Sequence, residues 1–450
     1  MFNLTHNEMK KKFILAATLV VAFCSCSNDT EMVSSASTFE EQGMTPVVLG
    51  MSNSGITVTE NSKRGTGTVG GMAGEDVSWR NEDVRVLMTT AGVDNSDWSI
   101  AKTACFDENV AFAHLTCKTT FNALDNVWEL NYFASTGNNK IYYPMNGDSD
   151  FFAFYSDDAV EDKYFGYTVT KDANNQSVIT LNEASTFDVD NAEIKLPFTI
   201  DGTQDLLAGK ATNTSNGSKQ GFSATTARAN VVPNITMKHL LTRFTFEIVP
   251  GHDNVDGLIV SEVGVKSLNK GNIIVAYNEL TPREATDLID WTLNAEGEEM
   301  ATFMLKERVG DVVNSEGVKT KLTDFTEVEL DIDPSLNLEE NSKKIGEAMF
   351  VKPGETIYPM FITFKFPVHD AVGNIVGYNE KTESLNIEKS DKTAFEVGKS
   401  YNLQIKVYGY SDIRVIATLE PWENGGDVDL DFDPIALKNA ENGSSADDLI

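Results

Sequence analysis

Histidine, cysteine and positive charge are all scarce in this chain, and each shortage closes off a class of function. Five histidines in 450 residues stand apart at His6, His114, His239, His252 and His369, with no HExxH-type spacing and no nucleophile motif beside them. No catalytic residue, metal site or cofactor is therefore expected. Against 68 acidic residues stand only 36 basic ones, a formal net charge of -32. The Lys and Arg clusters that hold a phosphate backbone are missing, which excludes nucleic acid as a partner. Two of the four cysteines fall within the first 26 residues, and the remaining pair, Cys105 and Cys117, is too few for the disulfide framework of a small secreted domain. The apolar run at residues 13–23 is far shorter than the roughly 20 residues a membrane-spanning helix needs.

That short run follows Lys10, Lys11 and Lys12 and ends at Cys24-Ser25-Cys26, the order of a secretory signal peptide. Residues 1–25 read as the leader, and because residues 1–8 lack both positive charge and apolar pattern, its true start is expected at Met9. A small residue before a cysteine, then Ser27, Asn28 and Asp29, resembles a lipobox, and Cys26 is the expected site of acylation. Cys24 is the alternative, although bulky Phe23 precedes it. Several acyl chains on one residue would hold the mature chain on a membrane, not in it.

Residues 26–45 are polar and acidic without periodicity and read as a flexible tether. The remainder suffices for two or three domains of ordinary size. Its dominant pattern is apolar residues at alternate positions: Ile56 and Val58; Val84, Val86 and Met88; Phe244, Phe246 and Ile248. The same alternation returns at Met360, Ile362, Phe364 and Phe366, at Leu403, Ile405 and Val407, and at Ile413, Val415, Ala417 and Leu419. These are half-buried strands. Many short strands between Gly, Asn, Asp and Ser turns predict an all-β protein of two antiparallel β-sandwiches, residues 46–250 and 251–450. Helical pattern is sparse, with residues 335–349 the best candidate, and residues 209–230 read as an exposed loop.

Three local motifs invite sharper readings. Gly65, Gly67 and Gly70 satisfy GxGxxG, but no strand pattern precedes them and no helix pattern follows, so the glycines read as a pliable linker. Asp427, Asp429, Asp431 and Asp433 could suggest calcium. Val428, Leu430 and Phe432 alternate with them, which fits a strand with one solvated face better than a converging ligand loop. Cys105 and Cys117 could close a bridge contributing roughly 3 kcal/mol in the entropic account, or remain two half-buried thiols.

A series of phrases resembles the fimbrillin family, pilus subunits of the Bacteroidales type. Ser62-Lys63-Arg64, then Trp79 leading into Glu82-Asp83-Val84-Arg85-Val86, is similar to that family's basic site and first retained strands. Ile141-Tyr142-Tyr143-Pro144 with Phe151-Phe152-Ala153-Phe154-Tyr155, Asp205-Leu206-Leu207-Ala208, and His239-Leu240-Leu241-Thr242-Arg243 resemble further phrases of its first domain. Phe395, Gly398 and Tyr401, then Ile413 to Leu419 and Pro421-Trp422, resemble its ending. About residues 257–344 match no such phrase.

The resemblance implies two transthyretin-like sandwiches and a lipid-anchored outer-membrane precursor that becomes part of a cell-surface fimbrium for adhesion. It implies proteolytic processing at Lys63 and Arg64, other fimbrillin subunits and a processing protease as partners, and strand exchange as the mode of assembly. The apolar face of Ile413, Val415, Ala417 and Leu419 makes it the expected donor strand. A different class of function is a monomeric surface lipoprotein that binds glycans through Trp98, Trp128 or Trp291.

Overall fold

The computed structural model describes residues 50–53, 83–91, 115–122, 127–131, 143, 147–161, 167–171, 177–181, 186–188, 193–212, 221–229, 231, 233–279, 281–292, 300–308, 322–410 and 412–420. In chain order the first strands are β1 (Gly50–Asn53), β2 (Asp83–Thr90), β3 (Leu115–Asn122), β4 (Val127–Asn131), β5 (Ser149–Tyr155), β6 (Tyr167–Lys171), β7 (Ser177–Leu181), β8 (Thr186–Asp188), β9 (Glu193–Thr199) and β10 (Leu207–Thr212). A short helix, α1 (Ala224–Arg228), precedes β11 (Asn234–His239), β12 (Thr242–Pro250), β13 (Ile259–Ser267), β14 (Lys270–Tyr277), β15 (Ile289–Trp291), β16 (Ala301–Met304) and β17 (Lys306–Arg308). The last strands are β18 (Leu322–Asp324), β19 (Val328–Glu329), β20 (Lys343–Val351), β21 (Ile357–His369), β22 (Ile375–Glu388), β23 (Ser400–Gly409) and β24 (Asp412–Glu420). The fold is all-β, as expected.

Seven strands form the largest sheet, in the order β1-β11-β10-β5-β2-β3-β4. Here β1 runs parallel to β11 and every other neighbour is antiparallel. A second sheet runs β20-β12-β23-β24, with β12 and β23 parallel at its centre. A third runs β16-β13-β21-β22 with β19 against β13, and a fourth β15-β14-β9-β8. Two of these sheets draw strands from both sides of residue 250, since β12 joins β20, β23 and β24 while β9 pairs with β14. Sheet membership alone therefore does not divide the chain at 250/251.

The packing explains why β5 reads as an unbroken apolar phrase where its neighbours alternate. Every residue of Ser149–Tyr155 is buried, because the sheet is covered on both faces. Phe152 and Phe154 enter the large core that also holds Leu196, Phe244, Val263 and Phe364, whereas Phe151, Ala153 and Tyr155 join Val84, Val86 and Met88 in a second cluster. Alternate positions of one strand thus serve two different cores.

Two expectations are corrected. Residues 335–349 are not helical: a 3-10 turn at Leu338–Asn341, capped by Asn337 and Glu340, leads into β20. Residues from Glu347 to Val351 are all buried, and Gly346 sits at φ +58° beside a register shift in the β12 pairing. A strand covered on both sides around a bulge loses period-two alternation and can imitate a helical pattern. Residues 209–230 are not simply a loop, since Gly209 to Thr212 complete β10, Phe222 is fully buried against the Ser149 backbone, and Ser223 caps α1.

Candidate functional site

Two edge strands bound the region where the resemblance predicts assembly chemistry. Among the described residues, β24 ends the second sheet and has one hydrogen-bonded neighbour, β23. Its period-two face sets Ile413, Val415 and Ala417 half-buried against the large core, opposite the buried Val407, Ile405 and Leu403. Leu419 falls at the exposed end of that face, with 60 % of its surface accessible, and Ile416 on the other face is also exposed. Arg414 lies 4.8 Å over the Tyr408 ring and pairs with Asp412 at 3.0 Å. Its outer edge has no strand neighbour among the described residues, and such an edge can recruit another strand.

At the far edge of the seven-stranded sheet, β1 sets Gly50, Met51, Ser52 and Asn53 opposite Asn234, Ile235, Thr236 and Met237. β11 has β10 as its other neighbour. Lys63 and Arg64 lie outside the described residues, as do Cys26 and Cys105. Cys117 falls in β3, in register with Val84. The glycine run and the Asp427 to Asp433 stretch also lie outside.

Between the two edges, sequence phrases that are distant along the chain meet. Leu207 is in register with His239, and Leu240 N–H donates to the Leu206 carbonyl at 2.8 Å. Gly398 N–H donates to Leu241 O at 2.9 Å, and Thr242 Oγ1 donates to Glu396 O at 2.8 Å. Gly398 has φ +66°, and a Cβ there would come within 3.2 Å of the His239 carbonyl, which accounts for glycine at this position. Phe395 packs edge-on against Phe244, Tyr358 and Tyr401 with centroids 4.9–5.3 Å apart, a favoured aromatic geometry.

Buried charge sits at the same junction. His239 Nδ1 lies 2.8 Å from Asp205 Oδ2, the two side chains being 1 % and 0 % exposed. Arg243, also buried, follows on β12 and donates to Ser400 Oγ on β23. Burial pushes the Asp205 carboxyl up from its ordinary range, while neighbouring His239 and Arg243 pull it back. Such burial seals the Asp-His pair from any substrate, so its geometry serves packing and not proton transfer to a ligand. Both phrases stand out in the sequence, but nothing local signals a contact across the 34 positions between Asp205 and His239.

A polar cleft of about 400 Å³ is lined by Glu193, Lys195, Glu279, Arg283, Asp287 and Asp290. Five of these side chains pair with one another: Arg283 contacts Glu193 and Glu279, both at 2.5 Å, and Lys195 contacts Asp290 at 2.9 Å and Glu193 at 3.1 Å. Among the described residues no group of His, Cys, Asp and Glu is arranged to hold a metal ion. Trp291 packs edge-on to Phe198 at 5.3 Å and leans on the core, an arrangement that withholds much of its ring from a sugar. Trp128 lies in β4, and Trp98 is outside the described residues.

No family model and no curated protein sequence matches the chain. Among solved structures, a candidate cell adhesion protein from Bacteroides uniformis aligns over 84 % of this chain and 98 % of its own, with 14 % identity and a TM-score of 0.37. The tip fimbrial protein Mfa3 of Porphyromonas gingivalis aligns over 76 % and 95 %, at 10 % identity and a TM-score of 0.29. The fimbrial anchor protein Mfa2 of the same organism aligns over 84 % and 98 %, at 10 % identity and a TM-score of 0.24.

Proposed function

We propose that this chain is a structural subunit of a cell-surface fimbrium of the fimbrillin type, exported as a lipoprotein acylated at Cys26 and assembled by strand exchange. The observation that carries the reading is the position of β1. Among the described residues it is an edge strand, and it precedes the basic pair Lys63-Arg64 in sequence, so a cut there separates it from the strands that follow. Loss of β1 leaves the unpaired edge of β11, a row of N–H and C=O groups that recruits a complementary extended segment. β24 of a neighbouring subunit is that segment, with Ile413, Val415, Ala417 and Leu419 as the inserted face. Addition of this kind is head to tail and builds an open filament.

In this reading the lipid tethers the precursor to the outer membrane, a trypsin-like protease releases the retained part, and other subunits of the same kind are the partners. Truncation after Tyr410 tests the donor. It should leave folded monomers by size-exclusion chromatography and circular dichroism, with no ladder on gels after processing. A truncated chain that still polymerised like the intact one would assign the donor elsewhere.

A further inference from the structure

Inside the sheet that β1 completes, neighbouring strands carry a buried pair of opposite charge. Asp150 on β5 and Lys210 on β10 are 5 % and 2 % exposed, and Lys210 Nζ lies 3.0 Å from Asp150 Oδ2. The register sets Lys210 opposite Phe152, so Asp150, two positions along β5, points to the same face. Aromatic rings enclose the amine, with Phe152 at 5.0 Å and Tyr277 at 5.6 Å from Nζ. It also donates to the Glu279 carbonyl. The other charges that act on the pair are those of Asp148 and Glu279.

An ion pair in such a place is expensive, because both charges lose their hydration on burial. Burial pushes the Asp150 carboxyl up and the Lys210 amine down, and both shifts favour the neutral acid and the neutral amine. A neutral amine is a nucleophile and a neutral carboxyl an acceptor. Held in contact by two strands, they have the high effective concentration of a fixed intramolecular pair.

We propose that Lys210 Nζ and Asp150 Cγ condense into an isopeptide bond that joins β10 to β5. A first proton passes from the ammonium to the carboxylate, and the amine lone pair attacks Cγ. A second proton passes from nitrogen to the departing hydroxyl, the C–O bond breaks, and one water leaves. The amide keeps one N–H and one C=O, with no oxidant or co-reactant needed. Two buried charges become one neutral group, which removes their desolvation penalty. The neighbouring polar cleft shares Glu279 with the pair.

The mechanical consequence, unlike the bond, rests on the filament reading. β10 is the inner neighbour of β11, so tension entering through a strand seated on β11 passes through β10 to β5. A covalent link there stops the two from shearing. The test is a peptide map by mass spectrometry of the full chain purified under denaturing conditions. The expected product is a branched peptide joining the segments around Asp150 and Lys210, lighter than their sum by one water. Lys210→Arg and Asp150→Ala should each abolish it. Two separate linear peptides of full mass from the folded wild-type protein would overturn the proposal and leave an ion pair. That result is readable without either variant, and whether or not the chain polymerises.

Discussion

The strand edges at the two ends of the described chain are held in different ways. β1 is a parallel ladder of four residues on β11, whereas β24 is an antiparallel ladder of nine residues with three side chains half-buried in the main core. At about 0.5–1.5 kcal/mol net for each backbone hydrogen bond, the first is worth only a few kcal/mol and the second clearly more. A weak strand upstream of a basic pair suits a part that is to be lost. In the proposed assembly, the stronger strand at the end of the ladder is the one that would insert into a neighbour.

Both edges lean on the buried junction, and the largest effect is expected there. His239→Leu leaves the carboxyl of Asp205 buried without its partner at 2.8 Å. Loss of one partner of a buried pair costs about 3–5 kcal/mol, to be read as a lowered urea midpoint. Because β11 and β12 meet at this point, amide exchange should rise at both edges. Exchange confined to one edge would break the link between them.

Gly209→Ala should sharpen the contrast with a smaller effect. A Cβ at Gly209 would stand 2.1 Å from the Thr236 carbonyl oxygen, forcing β10 and β11 apart for about 1–3 kcal/mol. Hydrogen exchange should then quicken along β11 while β23 and β24 stay protected. Equal loosening of β23 and β24 would mean that the two edges are not separable.

The smallest effect is a pH dependence beneath the seven-stranded sheet. Burial raises the Tyr277 phenol to about 12, opposed by the Arg283 N–H it accepts and by the Arg283 charge. The folded state therefore holds this proton more tightly than the unfolded chain does. Its contribution is complete below about pH 10, where the free phenol begins to titrate, and is lost as pH rises through the folded value. Tyr277→Phe should flatten the fall of stability with pH across that window. An unchanged slope in the variant would remove Tyr277 from the account.

Strands with one buried face were the legible part of the sequence. Val84, Val86 and Met88, Phe244 to Ile248, Met360 to Phe366, and Leu403 to Leu419 all announce themselves by alternation and lie in β2, β12, β21, β23 and β24. β20 was not legible, because burial on both sides and the bulge at Gly346 erase the period. β10 was hidden by its composition, since Lys210 reads as solvated until Asp150 and two aromatic rings are seen around it. Asp205 and His239 stood in phrases that local pattern could mark but not join. Side-chain pairs of high sequence separation are set by strand order, which alternation does not encode.

The most direct test of strand exchange is the double substitution Lys63→Ala and Arg64→Ala in the full-length chain, followed by electron microscopy and gel analysis after trypsin-type processing. Without the cut, β1 stays on β11, and the account predicts a lipid-anchored monomer with neither filaments nor ladders. Filaments formed at the normal rate, with the chain still trimmed near Gly65 or not trimmed at all, would contradict it.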